Sequence, residues 1–402
     1  MSRLEEPARD GSIPSFRGLL LYFFTLGSLG FGGPIGLTNH IRRDLVEKRG
    51  WITEDEYDDG LAIAATCPGP LAFQLAIYCG YVRFGLLGGI AVAIVFATTP
   101  FFLVVTVAHF YTRFATTWQL RGLFYGVAPV VVALILRACW QLGRKTLRRD
   151  PVAWLFFLIA LALTVILKRE LTSVFLVAGF LGIFVFRSQP ASRPAGEGAP
   201  LPKSGKSAPL PALVAALPWG GINAKLFLFF FKAGMFTFGS GLVIVPFLKA
   251  YVVDEYHWIS GRQFLDALAI GMISPGPVAV AATFVSYLLN GFPGALAATV
   301  GMFSPALLFT VAASPIMLRY RTNPRLQGFI QGIKVAVVGV LVGTTALVGR
   351  TAIGDVFTVT VAVVALAVLL RFEKIPEPLA VTAGGLLGLL AYPLIQPGWL
   401  LR

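Results

Sequence analysis

Thr66-Cys67-Pro68-Gly69-Pro70 and Ile273-Ser274-Pro275-Gly276-Pro277 decide how this chain is read. Each lies inside a long apolar segment. A proline in a helix interior removes a backbone hydrogen bond and clashes with the preceding turn, so two prolines around a glycine predict a broken helix. Backbone groups freed in lipid need partners, and broken backbone survives there only inside protein or beside a wet cavity. A break that recurs in both halves of a chain marks the working site of a transporter built from repeats.

The rest of the sequence is consistent with such a protein. It has 402 residues, 56% hydrophobic and 13% charged, with a mean hydropathy of +0.78. A soluble domain carries roughly 25% charged residues, so the composition predicts an all-α, polytopic membrane protein. The net charge of +14 would suggest nucleic acid on a soluble chain. Here the basic residues gather in short loops, which fits cytoplasmic retention and contact with anionic lipid; a basic, anion-attracting pore is a second reading. Cys67, Cys79 and Cys139 lie in apolar stretches with no framework or metal spacing and read as small buried hydrophobes. No cofactor or metal site is expected. Glu5, Glu6 and Asp10 precede the first apolar run, which argues against a cleaved signal.

Four segments follow from composition. Residues 1–15 form a polar tail, with Ser15 as a cap for the first helix. Residues 16–187 form a first transporter repeat and 212–402 a second. Between them, 188–211 is a Pro/Ser/Gly/Lys-rich flexible linker. Its Ser204-Gly205-Lys206-Ser207 lacks the upstream glycine of a phosphate loop, since position 200 is proline. The repeat rests on a nearly constant offset. Phe31-Gly32 recurs as Phe238-Gly239, Trp51-Ile52 as Trp258-Ile259, Asp59 as Asp266 and Pro68 as Pro275, each 207 positions on. After one deletion the offset is 206, so Gly122 and Gly126 recur as Gly328 and Gly332, and Arg144 as Arg350. Each repeat is expected to hold about 5–6 spans, one of them from about Gly60 to Val82, with broken helices where the repeats meet. Charge bias leaves their relative orientation open, because glycine-rich segments can enter and leave a membrane on one side.

With these motifs in hand, the sequence resembles the chromate ion transporter family in its long, two-domain form. The resemblance is carried by Phe31-Gly32-Gly33-Pro34, Trp51-Ile52, both Pro-Gly-Pro runs, and Asp266-Ala267-Leu268-Ala269 leading into Ser274. It covers nearly the whole chain outside the tail and linker. It implies export of chromate from the bacterial cytoplasm across the inner membrane, with sulfate as a related oxyanion, and halves of opposite orientation. A homodimer is an allowed assembly. One departure stands out: the second half has Gly239-Ser240-Gly241 where the first has Gly32-Gly33-Pro34.

A tetrahedral dianion needs N–H or O–H donors and positive potential, and the N-terminus of a broken helix offers both. Glycine lets backbone approach closely. The candidate substrate-binding residues are therefore Gly32, Gly33, Gly69, Gly239, Gly241 and Gly276, with hydroxyls from Thr66, Ser240 and Ser274. Pro34, Pro68, Pro70, Pro275 and Pro277 make the breaks. The alternative is that these residues only kink helices or permit close packing. Lys232, among Phe229–Phe231, is either a counter-charge for the anion or a lysine snorkelling from a helix end. Arg83 and Arg42 read as interfacial anchors; Arg137 and Lys334 fall deeper and are further candidates. Asp59 and Asp266, each nine residues before a Pro-Gly-Pro proline, are either proton carriers or helix caps. Gly85-x-x-x-Gly89, Gly122-x-x-x-Gly126 and Gly328-x-x-x-Gly332 read as close-packing faces.

Export needs no coupling. A potential of 100 mV is worth about 2.3 kcal/mol per charge, so a dianion leaving a negative interior gains roughly 4.6 kcal/mol by that figure. Proton antiport would add to this. The competing readings are a permease for sulfate or another oxyanion, a membrane-embedded enzyme, and a structural scaffold. The enzyme reading lacks a His/Cys/Asp cluster or nucleotide loop. The scaffold reading gives no reason for duplicated proline breaks.

Overall fold

The computed structural model describes residues 14–30, 33–115, 117–148, 150–167, 171–186, 221–239, 241–312, 314, 323–372 and 375–395. The linker 188–211 and the tail before Pro14 lie outside these. Among the described residues, seven α-helices occupy the first half: α1 Phe16–Leu29, α2 Gly33–Ile41, α3 Glu54–Thr66, α4 Leu71–Phe114, α5 Trp118–Thr146, α6 Pro151–Leu167 and α7 Leu171–Val185. Seven answer them in the second: α8 Ile222–Met235, α9 Ile244–Phe247, α10 Gly261–Ile273, α11 Ala281–Ala312, α12 Pro324–Ala352, α13 Val356–Arg371 and α14 Glu377–Ile395. Two short strands, β1 Gly69–Pro70 and β2 Phe238–Gly239, pair in parallel. Among the described residues, five helices are long and apolar enough to cross a membrane: α4, α5, α12, α14, and α11 with its preceding turn.

Local chemistry starts these helices in matching places. Ser15 accepts from the Gly18 N–H at 3.0 Å and caps α1. Thr53 and Ser260, 207 positions apart, cap α3 and α10 in reciprocal boxes with Glu56 and Gln263. Asp59 and Asp266 therefore do not cap; they sit in the second turn. Asn323 caps α12 with Pro324 in its first turn.

The passage expected from Gly60 to Val82 is not one span. It is a hairpin that goes in and comes back. Its arms are α3 and the first part of α4, and its tip is the first Pro-Gly-Pro. Near the tip-to-mouth midpoint, a Cβ on Gly60 would stand 2.4 Å from the Tyr78 ring. At the mouth, the Arg83 guanidinium grips Glu56 through both nitrogens, with Nη1 at 2.8 Å from Oε1. Arg83 Nε also donates to the Trp51 carbonyl at 2.5 Å. Burial pushes the Glu56 carboxyl up, but the hydrogen bonds from Arg83 and Thr53 outweigh it and hold it below the usual range. α1 and α2 form a second hairpin beside the first: Tyr22 reaches the His40 carbonyl at 3.5 Å and Arg49 lies over the Tyr22 ring.

At Phe84-Gly85 the helix α4 reverses, with Gly85 at φ 63°. Asn290-Gly291 does the same in α11, with Gly291 at φ 56°. That positive φ costs glycine little and other residues much. The reversal is tight: a Cβ on Gly80 would lie 2.5 Å from the Gly88 carbonyl oxygen, and one on Gly294 the same distance from that of Ser286. The long second arm of α4, residues 86–114, spans about 44 Å at 1.5 Å per residue.

That arm fixes the relative orientation of the halves. It begins beside Arg83 and Glu56, at the mouth of the first half's hairpin. It ends where Tyr111 donates to Asp266 at 2.6 Å and His109 meets Tyr287 at 2.9 Å. Arg262, at the start of α10, donates to the Arg121 carbonyl at 3.3 Å near the start of α5. The second half's hairpin, α10 with the first arm of α11, thus opens at the far end of the bundle. The repeats are inverted.

The halves are also interlaced. α6 and α7 pack on α12 of the other half, and α13 and α14 pack on α5. The predicted small-residue faces make these seams. A Cβ on Gly126 would lie 2.1 Å from the Gly384 carbonyl oxygen, and one on Gly332 2.1 Å from that of Ala178. The readings of Gly122/Gly126 and Gly328/Gly332 as packing faces are borne out, whereas Gly85 belongs to none: a Cβ there would meet nothing within 4 Å, and that glycine serves the reversal of α4 instead. Gly126→Val and Gly332→Val are each expected to cost about 1–3 kcal/mol by overpacking, read as matching drops in the melting temperature of the purified protein. A drop in one alone would contradict the equivalence of the seams.

Candidate functional site

The hairpin tips of the two halves meet at the centre of the bundle, and they meet crosswise. The Gly69 N–H, from the first Pro-Gly-Pro, donates to the Thr237 carbonyl at 2.5 Å. The Gly276 N–H, from the second, donates to the Gly30 carbonyl at 3.5 Å. These bonds are images of one another under the repeat, since 69 answers 276 and 30 answers 237 at the 207 offset. β1 and β2 are part of the same exchange, Gly69 opposite Phe238 and Pro70 opposite Gly239. Each Pro-Gly-Pro thus finds its backbone partner in the glycine break of the other half.

A cavity of about 40 Å³ lies among these tips. A water needs roughly 10–15 Å³ on this measure, so the chamber admits a few. Its wall includes Gly30 and Gly33, Pro70 through Phe73, Gly241 and Leu242, and Gly271 and Met272. Ser274, Gly276, Pro277, Val278, Glu377 and Pro378 complete it with Leu37 and Phe96. Three helical N-termini point into this space: α2 at Gly33, α4 at Leu71, and the short turn Val278–Val280 that leads into α11. Pro70 and Pro277 stand at the cap positions of the last two and supply no side-chain cap. The first N–H groups of a helix have no partner within it and carry partial positive charge. The carbonyl ends of nearby helices are used otherwise: Gly30 accepts from Gly276, and the Lys334 ammonium donates to the Ala65 carbonyl of α3 at 2.8 Å. The chamber is suited to an anion that accepts hydrogen bonds from backbone.

Of the residues singled out from sequence, Gly33, Gly241, Ser274, Gly276, Pro70 and Pro277 line this chamber. Gly69, Pro68, Gly239 and Pro275 shape the tips around it; the Pro68 carbonyl accepts from Gln74 Nε2 at 2.8 Å. Pro34 is the second residue of α2. Gly32 and Ser240 lie outside the described residues. Thr66 ends α3 beside the tip without lining the cavity. Lys232 lies elsewhere, in a recess with Tyr251, Tyr256 and Trp258, its Nζ 5.6 Å from the centre of the Tyr251 ring. Asp59 and Asp266 are buried in their hairpins away from the tips, and Asp266 borders a separate pocket with Tyr111, Arg121 and Arg262.

One further residue, Glu377, comes from the structure, and two cations named from sequence, Arg137 and Lys334, find their places near it or near the tips. Glu377, at the start of α14, puts a carboxylate on the chamber wall. Arg137 of α5 donates to the Ile375 carbonyl at 3.2 Å, two residues before it. Lys334 meets the end of α3. None has an ionisable equivalent in the other half: the matching positions are Leu171, Gly343 and Ala128. A search by recurrence passes over them. The only sequence signal for Glu377 is a lone acid between Pro376 and Pro378 ahead of an apolar run.

The model of the chromate transporter family matches residues 17–183 and again 224–389. The chain belongs to the chromate transporter family. Its double match coincides with the two sets of seven helices, and membership makes it a transporter rather than an enzyme. A chromate transport protein of Cupriavidus metallidurans is 40% identical over 385 residues, covering 95% of this chain and 94% of its own length. A probable chromate transport protein of Synechococcus elongatus is 37% identical, covering 94% and 95%. A chromate transport protein of Pseudomonas aeruginosa is 30% identical, covering 94% and 93%. No solved structure matches the chain.

The two tip glycines differ in what surrounds them. A Cβ on Gly69, at φ 141°, would stand 2.6 Å from the Ala306 Cβ and 2.8 Å from Gln74 Cδ. One on Gly276, at φ 89°, would meet only Pro100 at 3.4 Å. Gly276→Ala is expected to cost about 1–2 kcal/mol of backbone strain, and Gly69→Ala more, because it adds a clash. Melting temperatures of the two variants check the order; equal losses would contradict it.

Proposed function

We propose that this protein exports chromate from the cytoplasm across the bacterial inner membrane, with the inward-facing membrane potential as the driving force. The single observation that supports this most is the convergence of three helical N-termini, drawn from both halves, on one central chamber. Backbone N–H groups suit a tetrahedral dianion, which has acceptors on every side and no donors of its own. The inverted halves supply two equivalent ways to open the chamber, one toward each end of the bundle. The names of the relatives support chromate as the cargo. In this reading Gly33, Gly69, Gly241, Gly276 and Ser274 form the binding surface, with Gly32, Gly239, Ser240 and Thr66 next to it. Lys232 adds positive potential from its recess. Asp59 and Asp266 are carriers for protons exchanged against the anion. Sulfate shares the shape and charge of chromate and competes for the same chamber.

The test is radiolabelled chromate flux in proteoliposomes, with potential and pH gradient set independently. Potential alone is expected to drive flux toward the positive side, sulfate to inhibit it, and Asp266→Asn to remove any part that follows the pH gradient. Absence of potential-driven flux would sink the export reading. Sulfate flux without chromate flux would instead make the protein a sulfate permease.

A further inference from the structure

The chamber suits an anion except at one place. Glu377 is the ionisable side chain on its wall among the described residues. One carboxylate oxygen lies 3.7 Å from where a Cβ of Gly33 would stand, at the first residue of α2. No described residue hydrogen-bonds this carboxylate, though Ser15, Thr53, Ser260 and Asp355 all receive N–H groups at other helix starts. Its position is not set by capping its own helix in the usual way, and it faces the α2 terminus contributed by the other half.

Charges around it are few. Arg137 of α5 is the facing cation: its pull on the Glu377 carboxylate accompanies its bond to the Ile375 carbonyl. The walls contributed by α1, α2, α4, α10, the 241–242 segment and the turn before α11 present no other ionisable side chain among the described residues. An ionised carboxylate and a dianion in a chamber of about 40 Å³ would therefore share one cation and the same N-terminal amides. Like charges that close disfavour joint ionisation.

We propose that Glu377 is the protonatable residue of the transport chamber: ionised, it holds the oxyanion's place at the α2 terminus, and protonated, it yields that place. The inference rests on the oxyanion reading above and adds to it a linkage between anion and proton. A bound dianion raises the proton affinity of Glu377, and by reciprocity a proton on Glu377 strengthens anion binding. The proton comes from water reaching the chamber, forms an O–H bond on the carboxyl, and returns to water when the anion leaves; it is bound together with the anion and is distinct from the protons that Asp59 and Asp266 exchange against it. The sign follows: binding tightens as pH falls through the window in which the bound form holds the proton and the free form does not.

The experiment is equilibrium binding of radiolabelled chromate to the full chain in detergent, between about pH 6 and about pH 8.5. Wild type, Glu377→Gln and Glu377→Asp are compared, with gel filtration confirming that each is folded. Chromate's own protonation enters all three alike, and sulfate serves as a second probe. In wild type, affinity is expected to strengthen by up to about tenfold per pH unit lowered, as one linked proton requires. Glu377→Gln should lose that dependence and bind about tenfold or more tightly than wild type at the alkaline end; Glu377→Asp should keep the dependence. If Glu377→Gln keeps the wild-type slope, or weakens binding equally at every pH, the carboxyl has a structural role and the inference falls. Wild-type binding with no excess pH dependence overturns it while leaving the oxyanion reading intact. A folded wild type that binds neither chromate nor sulfate overturns both.

Discussion

Backbone amides at a broken helix cannot be left bare in an apolar bundle, and this protein meets that demand by exchange. Each Pro-Gly-Pro tip gives its glycine N–H to the break of the opposite half. The cost of an unpaired peptide group away from water is of the order of a hydrogen bond or more, so neither tip is complete without the other half. The same need holds four interruptions at one point and leaves a small chamber between them. Site and fold thus share one cause, the duplicated interruption of otherwise regular helices.

The exchange at the centre is matched by exchange at the periphery. α6 and α7 leave their own half to pack on α12, while α13 and α14 pack on α5. Glycines at 126, 332, 384 and 388 let those backbones approach, as is expected where lipid offers no hydrophobic force between helices. The hairpins that carry the tips are tied differently. The Arg83–Glu56 pair closes the mouth in the first half, whereas Gln263 and Leu289 hold the matching places in the second. The seams are thus symmetric and the mouths are not.

Asymmetry is also where the chemistry lies. Glycines and prolines recur because both halves need the same break. Glu377, Arg137 and Lys334 do not recur, and Glu377 stands on the wall of the one central chamber that both halves share. Tyr111 and Asp266 show a related pattern: the carboxylate is doubled as Asp59, but its hydroxyl partner comes from the far end of the opposite half's long arm.

The sequence alone determined the class of the protein, its duplication and the position of its breaks. Those features are local: hydropathy, the missing N–H of proline and a constant offset can all be read along the chain. Thr53 and Ser260 as caps were legible in the same way, since a capping box is a four-residue signal, and of the two readings of Asp59 and Asp266, proton carriers or helix caps, these boxes remove the second. Tertiary structure alone decided that the segment from Gly60 to Val82 turns back on itself and that the halves are inverted. It also decided which break meets which, and that Glu377 stands in the chamber while Lys232 stands in an aromatic recess. The physical reason is that a membrane helix satisfies its own backbone and so says little of its neighbours. Only where helices break, or where one-sided charges are brought together by packing, do contacts between distant residues decide the function.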